Sequence, residues 1–330
     1  MSVDDEAIHR RKGIWITWEQ FLRNRSMSAM LGVPLFVVSH GGGRFKRYWR
    51  CSVDTIAIVR NERPDVVFAQ NPSLALNYLL LMLRPFFRYR LVIDAHYGGI
   101  VSHTGSAMLQ RLLDFLNRSA DFVIVTNPGH GDHVERVGGR AFICPDPLPD
   151  LGRYAKSGDP DSKSVFYICS YDIDEPYEAM LAAADLLAAD GFEVHASGNF
   201  RRVGIDASLH PSVSFTGFLP EDRFYERLYK SDVVVDLTDN EDCLVCGAYE
   251  AMVAERPLVT SDTRALRAYF NGGTVFTGHD GASIAEAVRI AYRDRDRLGA
   301  EIQEWKRTAT EMEQRRGLEI LTKTGLEATR

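Results

Sequence analysis

The chain has 330 residues, of which 45% are hydrophobic and 25% charged; this is ordinary globular usage and excludes collagen-like and wholly disordered chains. At roughly 100–200 residues per domain, the length predicts two domains. The net charge of −6 is unevenly divided, because residues 1–150 carry 18 Lys and Arg against 14 Asp and Glu, and residues 151–330 carry 21 against 31. A basic half joined to an acidic half argues against a nucleic-acid binder, which needs a continuous basic surface.

The cysteines and the apolar segments bear on the cellular compartment. Five cysteines, an odd number at irregular spacing, predict a reducing environment. Residues 1–12 are charged and no apolar segment with a cleavage site follows, so we expect no signal peptide. The most apolar stretch, residues 74–83, is too short to span roughly 30 Å of hydrocarbon. We expect a cytoplasmic protein, either free or peripheral on the cytoplasmic face of a membrane.

Short apolar runs alternate with helical patterns through the first half of the chain. Apolar runs of this kind predict strands buried on both faces, and the helices between them predict right-handed crossovers in a parallel sheet. The predicted strands are residues 14–17, 35–38, 66–69, 91–94, 122–126 and 141–143, and the predicted helical segments are 53–61, 74–83 and 107–119.

The proline-rich stretch 144–160 interrupts this alternation and predicts an interdomain linker, because proline fixes φ and removes a backbone donor. We therefore divide the chain into domains at 1–150 and 151–330. The second half predicts strands at 164–170, 192–196, 213–216, 233–237 and 257–260, helices at 177–189, 221–230 and from Gly247, and a charged helical tail at 284–325. The expected architecture is α/β, with two doubly wound Rossmann-like domains facing a central cleft and the tail packing back toward the first domain.

The window 236–262 contains the main candidate ligand-binding residues. A strand leads into an acidic loop and then into a helix that begins near Cys246 and Gly247 and carries Glu250. Unpaired N–H groups at a helix start attract anions such as a diphosphate, and a glycine there allows close backbone approach. Glu250, one turn into the helix, can accept hydrogen bonds from two vicinal hydroxyls, as in a ribose, and Asp242 can accept from other sugar hydroxyls.

This window resembles the E-x7-E signature of retaining GT-B glycosyltransferases, especially glycosyltransferase family four. Asp242 and Glu250 stand eight residues apart, Ala251 and Met252 follow, and then come Arg256-Pro257 and a strand ending in Thr260-Ser261-Asp262. Residues 212–237, 92–99 and 120–127 resemble further segments of the same family in order and spacing. The resemblance spans most of the chain and is strongest over residues 164–290.

The resemblance implies a GT-B fold with an acceptor-side domain at 1–150 and a nucleotide-sugar-binding domain at 151–330. It implies transfer of a sugar from a nucleotide diphosphate sugar to a hydroxyl acceptor with retention of configuration, by front-face attack. The acceptor would be a lipid-linked glycan, a polysaccharide precursor or a glycolipid. No metal or other cofactor is expected, since helix dipoles and basic side chains neutralise the diphosphate.

The resemblance also implies residue roles. Glu250 would hold the ribose, Asp242 the donor sugar, and the amides around Cys246 and Gly247 the diphosphate. The backbone from Gly217 to Leu219 would meet the base, and His96, with Asp242 as the catalytic pair, would meet the donor sugar and the incoming hydroxyl. Further candidates are Ser170, Asn199, Arg201 and Arg202 on the donor side and Trp18 and Asn127 on the acceptor side.

The sequence departs from the family pattern at four places. Position 242 is Asp rather than Glu, and Cys243-Leu244-Val245 replaces Gly-Phe-Gly. The Arg and Lys expected after the first strand of the second domain are replaced by the acidic segment 169–175, which would repel a diphosphate. Arg201 and Arg202 are the nearest cations that could compensate. Trp18-Glu19-Gln20 stands where the family has a Gly-Gly loop.

These departures leave two rival functions open, a non-catalytic GT-B partner that binds a nucleotide or glycan, and a GT-B sugar-nucleotide epimerase. An NAD-dependent dehydrogenase is disfavoured, because no G-x-G-x-x-G follows the first strand of either half. Cys243 and Cys246 lack the second pair that zinc requires, and His130 and His133 lack a third ligand.

A basic and aromatic segment, residues 44–50 (RFKRYWR), could join residues 74–90 in a surface that docks on anionic lipid. The alternative is a buried helix whose end is capped by arginines. The sequence leaves both interpretations open.

Overall fold

The computed structural model describes residues 11–71, 73–102, 105–154 and 163–327. Contacts divide the chain into two compact units, residues 1–147 with 312–330 (unit 1) and residues 148–311 (unit 2). The division expected after residue 150 therefore falls three residues earlier, and the end of the helical tail groups with unit 1. Residues 155–160 of the predicted linker lie outside the described residues.

Unit 1 is a six-stranded parallel sheet flanked by helices. Its strands are continuous apolar runs such as Val66–Asn71, which is buried at every position, as expected of a sheet covered on both faces. The elements are β1 (Gly13–Thr17), α1 (Leu22–Leu31), β2 (Leu35–Val37), α2 (Arg44–Glu62), β3 (Val66–Asn71), α3 (Leu74–Phe87), β4 (Arg90–Ala95), α4 (Tyr97–Ile100), α5 (Ala107–Ser119), β5 (Phe122–Val125), α6 (Pro128–Arg136) and β6 (Ala141–Ile143).

Unit 2 contains the second six-stranded parallel sheet. Its elements are β7 (Ser164–Tyr167), α7 (Tyr177–Ala188), β8 (Glu193–Ser197), β9 (Val213–Gly217), α8 (Glu221–Tyr229), β10 (Val233–Asp236), α9 (Cys246–Val253), β11 (Leu258–Ser261), α10 (Arg264–Tyr269), β12 (Thr274–Thr277) and α11 (Gly281–Arg293). Two short 3₁₀ helices, Phe200–Val203 and Ala207–Leu209, lie between β8 and β9, and α12 (Arg295–Thr324) follows α11.

The strand orders identify where each sheet should bind a ligand. Unit 1 has the order β2-β1-β3-β4-β5-β6, and unit 2 has the order β12-β11-β10-β7-β8-β9. The winding direction reverses between β1 and β3 in unit 1 and between β7 and β10 in unit 2. In open α/β sheets, ligands bind beyond the carboxyl ends of the strands at this reversal. The predicted doubly wound, Rossmann-like architecture is thus confirmed for both units.

Within the described ranges, no helix is both long enough and apolar enough to cross a membrane. The apolar stretch 74–83 is part of α3, and three of its side chains, Leu76, Asn77 and Leu80, are buried. Asn77 donates to the carbonyl oxygens of Gln70 and Ser73, both at 2.9 Å. The side-chain NH2 group of Asn77 is therefore satisfied within unit 1, whereas its Oδ1 is buried without a partner among the described residues.

Candidate functional site

A cavity of about 440 Å³ opens at the carboxyl ends of β7, β8, β9 and β10 in unit 2. It lies at the reversal between β7 and β10, where the topology predicts a ligand site. The lining residues come from the loop after each of these four strands and from the start of α9. Of the predicted donor-side residues, Ser170, Gly217, Leu219, Cys246 and Gly247 line this cavity.

The start of α9 is in contact with a carboxyl group of the chain itself. Asp236, the buried last residue of β10, faces the backbone N–H groups of Gly247 and Ala248, which favour its charged form. A Cβ atom at Gly247 would lie 2.5 Å from Asp236 Oδ2 and 2.8 Å from Ile168 Cδ1, so only glycine fits this approach. Burial, followed by the nearby Glu175 and Glu250, raises the pKa of Asp236 well above its usual value. The amides predicted to bind a diphosphate therefore already face a carboxyl group of the chain itself.

A second internal carboxylate occupies the loop after β7. Glu175 accepts from the backbone N–H groups of Ser170 and Asp172, each at 2.9 Å, and from Ser170 Oγ at 2.9 Å. Tyr171, between these two donors, has a φ of 60°. Successive N–H groups that converge in this way form a typical anion-binding concavity. Glu175 thus lies where an external phosphate oxygen would find the same donors.

The cavity is acidic. Asp172, Asp174, Glu175 and Asp236 line it, and no Lys, Arg or His is among its described lining residues. The nearest compensating contact comes from Arg202 in the 3₁₀ helix after β8, whose Nη2 lies 3.1 Å from Asp172 Oδ1. Arg201, its neighbour, stacks over Phe200 at 5.0 Å. Of the two predicted cations, Arg202 pairs with a lining residue.

Glu250 and Asp242, the predicted acidic pair, are not among the residues that line the cavity. Glu250 accepts a hydrogen bond from Tyr225 Oη at 3.1 Å, and burial raises its pKa to about 7. Asp242 forms an ion pair with Arg264 at the start of α10. Asn199, the N-cap of the first 3₁₀ helix, is likewise absent from the lining.

An aromatic side chain follows β9 at the rim of the cavity. Gly217 has a φ of 69°, which glycine adopts at no steric cost. Phe218 is 78% exposed and lines the cavity together with Leu219 and Phe224. An exposed ring at the rim of a cavity is a suitable platform for a flat heterocycle. This position matches the predicted base-binding segment.

His96 lies in unit 1, directly after β4, as the N-cap of α4. Its Nε2 is buried without a hydrogen-bond partner among the described residues and is 3.8 Å from Asp94 Oδ2. Burial lowers the pKa of His96, so the ring is neutral at neutral pH. Arg23 holds the fully buried Asp94 through three hydrogen bonds of 2.7–3.1 Å.

Trp18 and Asn127, the predicted acceptor-side residues, are placed differently. Trp18 lines a cavity of about 320 Å³ beside the strand reversal of unit 1, and its Nε1 donates to Thr55 Oγ1 at 2.9 Å. Asn127 caps α6, accepting from the N–H of His130 at 3.0 Å. Trp18 is therefore available to a ligand through its cavity, whereas the oxygen of Asn127 has a structural role.

Three residues of the unit 2 cavity had no individual role in the sequence interpretation. Phe218 carried a signal, since it is an aromatic residue directly after a glycine that ends a predicted strand. Glu175 was visible only as part of an acidic segment expected to repel phosphate. Asp236 was visible only as one of several acids in the window 236–262. Its contact with α9 depends on the tertiary packing of two loops.

No family model matches the sequence, and no curated protein matches it either. Among solved structures, the chain is similar to HepE of Anabaena in complex with UDP-glucose (TM-score 0.67, 13% identity, covering 94% of this chain and 100% of that one). It is also similar to sucrose-phosphate synthase of Thermosynechococcus elongatus (0.71, 14%, 94% and 97%) and to the UDP-GlcNAc 2-epimerase of Methanocaldococcus jannaschii (0.55, 12%, 91% and 99%).

These likenesses concern the fold, since every identity is below 15%. Each comparison covers nearly all of this chain and nearly all of the solved one. The similarity therefore includes both parallel sheets and their connections, rather than one Rossmann-like unit alone. The two doubly wound units, their strand orders and these neighbours together assign the chain to the GT-B fold.

Proposed function

We propose that this protein is a retaining glycosyltransferase that moves a sugar from a nucleoside diphosphate sugar to a hydroxyl acceptor. The observation that carries the proposal is the unit 2 cavity. It lies at the strand reversal, and it combines an exposed aromatic ring with two sets of backbone N–H groups suited to anions. Its volume of about 440 Å³ lies within the usual range for small-molecule sites.

The solved neighbours support this choice of ligand. HepE of Anabaena was solved with UDP-glucose and with UDP and glucose. A uridine diphosphate sugar is therefore the first donor to test. We infer that the base stacks on Phe218 and meets the backbone from Gly217 to Leu219.

The diphosphate is assigned to the N–H groups at the start of α9 and in the loop after β7. The loop set now donates to Glu175, and the set at the start of α9 faces the carboxyl group of Asp236. Binding therefore requires that the donor displaces at least Glu175, or that Arg202 moves from Asp172 toward the phosphates. Ser170, Asn199 and Arg201 remain proposed donor-side contacts. Glu250 is proposed to accept hydrogen bonds from the ribose, and Asp242 from the donor sugar after release from Arg264.

On the acceptor side we propose His96 as the residue that meets the reacting hydroxyl. Its buried, unpartnered Nε2 and its neutral ring suit hydrogen bonding to an uncharged sugar. Trp18 and its cavity are proposed to hold the acceptor, and Asn127 supports that region by capping α6. In the front-face reaction, the leaving phosphate oxygen accepts the proton of the attacking hydroxyl, so no enzyme nucleophile and no metal are invoked. The proposed acceptor is a lipid-linked glycan, a polysaccharide precursor or a glycolipid.

The test needs no knowledge of the acceptor. Purified protein is incubated with UDP-glucose or UDP-N-acetylglucosamine in water, and the sugar released is followed by proton NMR from the first minutes. Retention predicts that the α anomer appears first and then mutarotates. Initial release of the β anomer would contradict the proposed stereochemistry. A nucleotide sugar altered at C2, without transfer, would instead identify an epimerase.

A non-catalytic nucleotide or glycan binder is the second candidate. It is favoured by the acidic lining and by the internal carboxylates on both sets of N–H groups. Saturable binding of UDP-glucose without hydrolysis, and without transfer to any of a panel of glycan acceptors, would select this candidate.

A further inference from the structure

The first two turns of α2 are exposed at every position from 44 to 50. Phe45 is 86% exposed and Trp49 66% exposed. These two rings stand four residues apart and so lie on the same face of the helix. Large aromatic side chains this open to water are unusual, because burying them is strongly favourable. The surface formed by residues 44–50 is called the α2 surface below.

The α2 surface is strongly basic. Four of its seven residues are Arg44, Lys46, Arg47 and Arg50, and the first turn of the helix holds no acidic residue. The first acid along the helix, Asp54, lies 2.6 Å from His40 Nε2. Arg47 stacks over Tyr48 at 5.2 Å. Cations therefore surround the exposed rings without a carboxylate between them.

The two helices packed next in this layer also expose large apolar side chains. α3 packs beside α2, and α5 packs beside α3. Met82 and Phe86 of α3 are 69% and 80% exposed, and Met108 of α5 is 73% exposed. α3 contains no acidic residue. Helices α3 and α5 thus carry further exposed apolar side chains in the same helix layer as the α2 surface.

We propose that the α2 surface docks unit 1 onto an anionic lipid bilayer. Aromatic rings that enter the headgroup region, flanked by basic residues, are the features that bind an interfacial helix to such a membrane. A nucleic acid is a poorer fit, because the apolar side chains at 45, 49, 82 and 86 would remain in water. An acidic protein would match the charge, but the exposed apolar residues are spread over three helices rather than forming a groove for one segment.

The docking would also position a ligand cavity. Arg47 and Tyr48 of the α2 surface line the 320 Å³ cavity that contains Trp18. A molecule anchored in the bilayer would therefore reach this cavity along the docked helix. The docking does not depend on glycosyl transfer, and a membrane-bound acceptor would follow if both proposals hold.

Tryptophan fluorescence gives a direct readout. The chain has four tryptophans, and Trp15, Trp18 and Trp305 are 0–8% exposed, so Trp49 is the one whose emission should respond to lipid. The full-length protein is mixed with phosphatidylcholine vesicles with and without phosphatidylglycerol, and emission and co-sedimentation are measured. We expect a blue shift and co-sedimentation only with phosphatidylglycerol, both weakened by salt. The Trp49→Phe variant should lose the blue shift.

Charge and ring variants complete the test. Joint replacement of Arg44, Lys46, Arg47 and Arg50 by Gln should weaken vesicle binding at least tenfold, and Phe45→Ala with Trp49→Ala should do the same. The same charge change at the exposed residues Arg293, Arg295, Arg297 and Arg307 is the control and should leave binding within about twofold. Absence of binding, equal binding to neutral vesicles, an equal loss in the control, or self-association that buries Trp49 without lipid would each overturn the proposal. UDP-glucose binding, measured in parallel without vesicles, keeps this result separate from the proposed function.

Discussion

Asp236 Oδ2 lies against Gly247 at the first turn of α9, only 2.5 Å from where a Cβ atom of that residue would stand. The two residues belong to different segments, the end of β10 and the start of the helix. Their contact fixes the acidic loop between them and forms one wall of the unit 2 cavity. The positive end of the α9 dipole therefore already faces a carboxyl group of the chain when no ligand is bound.

The replacement Gly247→Ala tests this contact. The added Cβ would lie within 3 Å of both Asp236 and Ile168, so the helix start must shift. We expect a loss of about 1–3 kcal/mol in the free energy of unfolding, measured by urea denaturation, together with weaker donor binding. Gly299→Ala in α12 is the control, because nothing lies within 4 Å of its Cβ. Equal stability of Gly247→Ala and the wild type would contradict the contact.

Glu175 should oppose the binding of phosphates. Glu175→Gln removes the negative charge from the loop after β7 and leaves a weaker competitor for the N–H groups of Ser170 and Asp172. At an effective dielectric of about 40 and a distance of about 5 Å, a unit charge contributes roughly 1–2 kcal/mol, so UDP should bind about five- to thirtyfold more tightly. Calorimetric titration measures this change.

Glu178→Gln, in the first turn of α7, exposed and outside the lining of the cavity, makes the same charge change and should alter the affinity less than twofold. Unchanged or weaker binding by Glu175→Gln would show that Glu175 supports the loop rather than competing with phosphate.

Glu250 should make stability depend on pH. Its pKa is raised from 4.5 to about 7 in the folded protein, so the native state binds this proton more tightly than the unfolded state. The stabilisation is therefore present at low pH and is lost as the pH rises from about 4.5 through 7, by about 3.4 kcal/mol at most. Unfolding at about pH 5.5 and 7.5 should show a smaller decline in Glu250→Gln than in the wild type. Identical slopes in the two proteins would contradict this assignment.

Arg23 should be essential to the stability of unit 1. Both Arg23 and Asp94 are buried, so Arg23→Met leaves an uncompensated carboxylate beneath His96. The expected cost is about 3–5 kcal/mol, measured by denaturant unfolding. Arg25→Met, on the same helix and exposed, is the matched control and should cost less than about 0.5 kcal/mol. Similar effects of the two replacements would contradict the role of the buried pair.

Much of the fold could be predicted from periodicity. The predicted strand 141–143 coincides with β6, and the predicted helix 107–119 coincides with α5. Helix α1 was not predicted, because it buries Arg23, Asn24 and Ser28 and exposes Leu22, so its sequence lacks an apolar stripe. Strand β12 was missed as well, since it lies at the edge of its sheet and only its last residue is buried, so it is not a continuous apolar run.

The site was predictable in part. The start of α9 and the segment after β9 could be located because glycines follow predicted strands or begin a helix at those points. The partners of the acids could not be located, because Arg264 lies 22 residues from Asp242 and Tyr225 lies 25 residues from Glu250. Such pairings arise from tertiary packing and leave no local pattern in the sequence.

Calorimetric titration of UDP-glucose into the wild type and into Phe218→Ala tests the central claim most directly. If the unit 2 cavity binds the donor with its base on Phe218, the wild type should bind one equivalent, and the variant should bind about five- to 150-fold more weakly, since base stacking contributes about 1–3 kcal/mol. Leu209→Ala, a comparably exposed side chain outside the lining of the cavity, should leave the affinity unchanged. No saturable binding by the wild type, or equal affinities for the wild type and Phe218→Ala, would contradict the account.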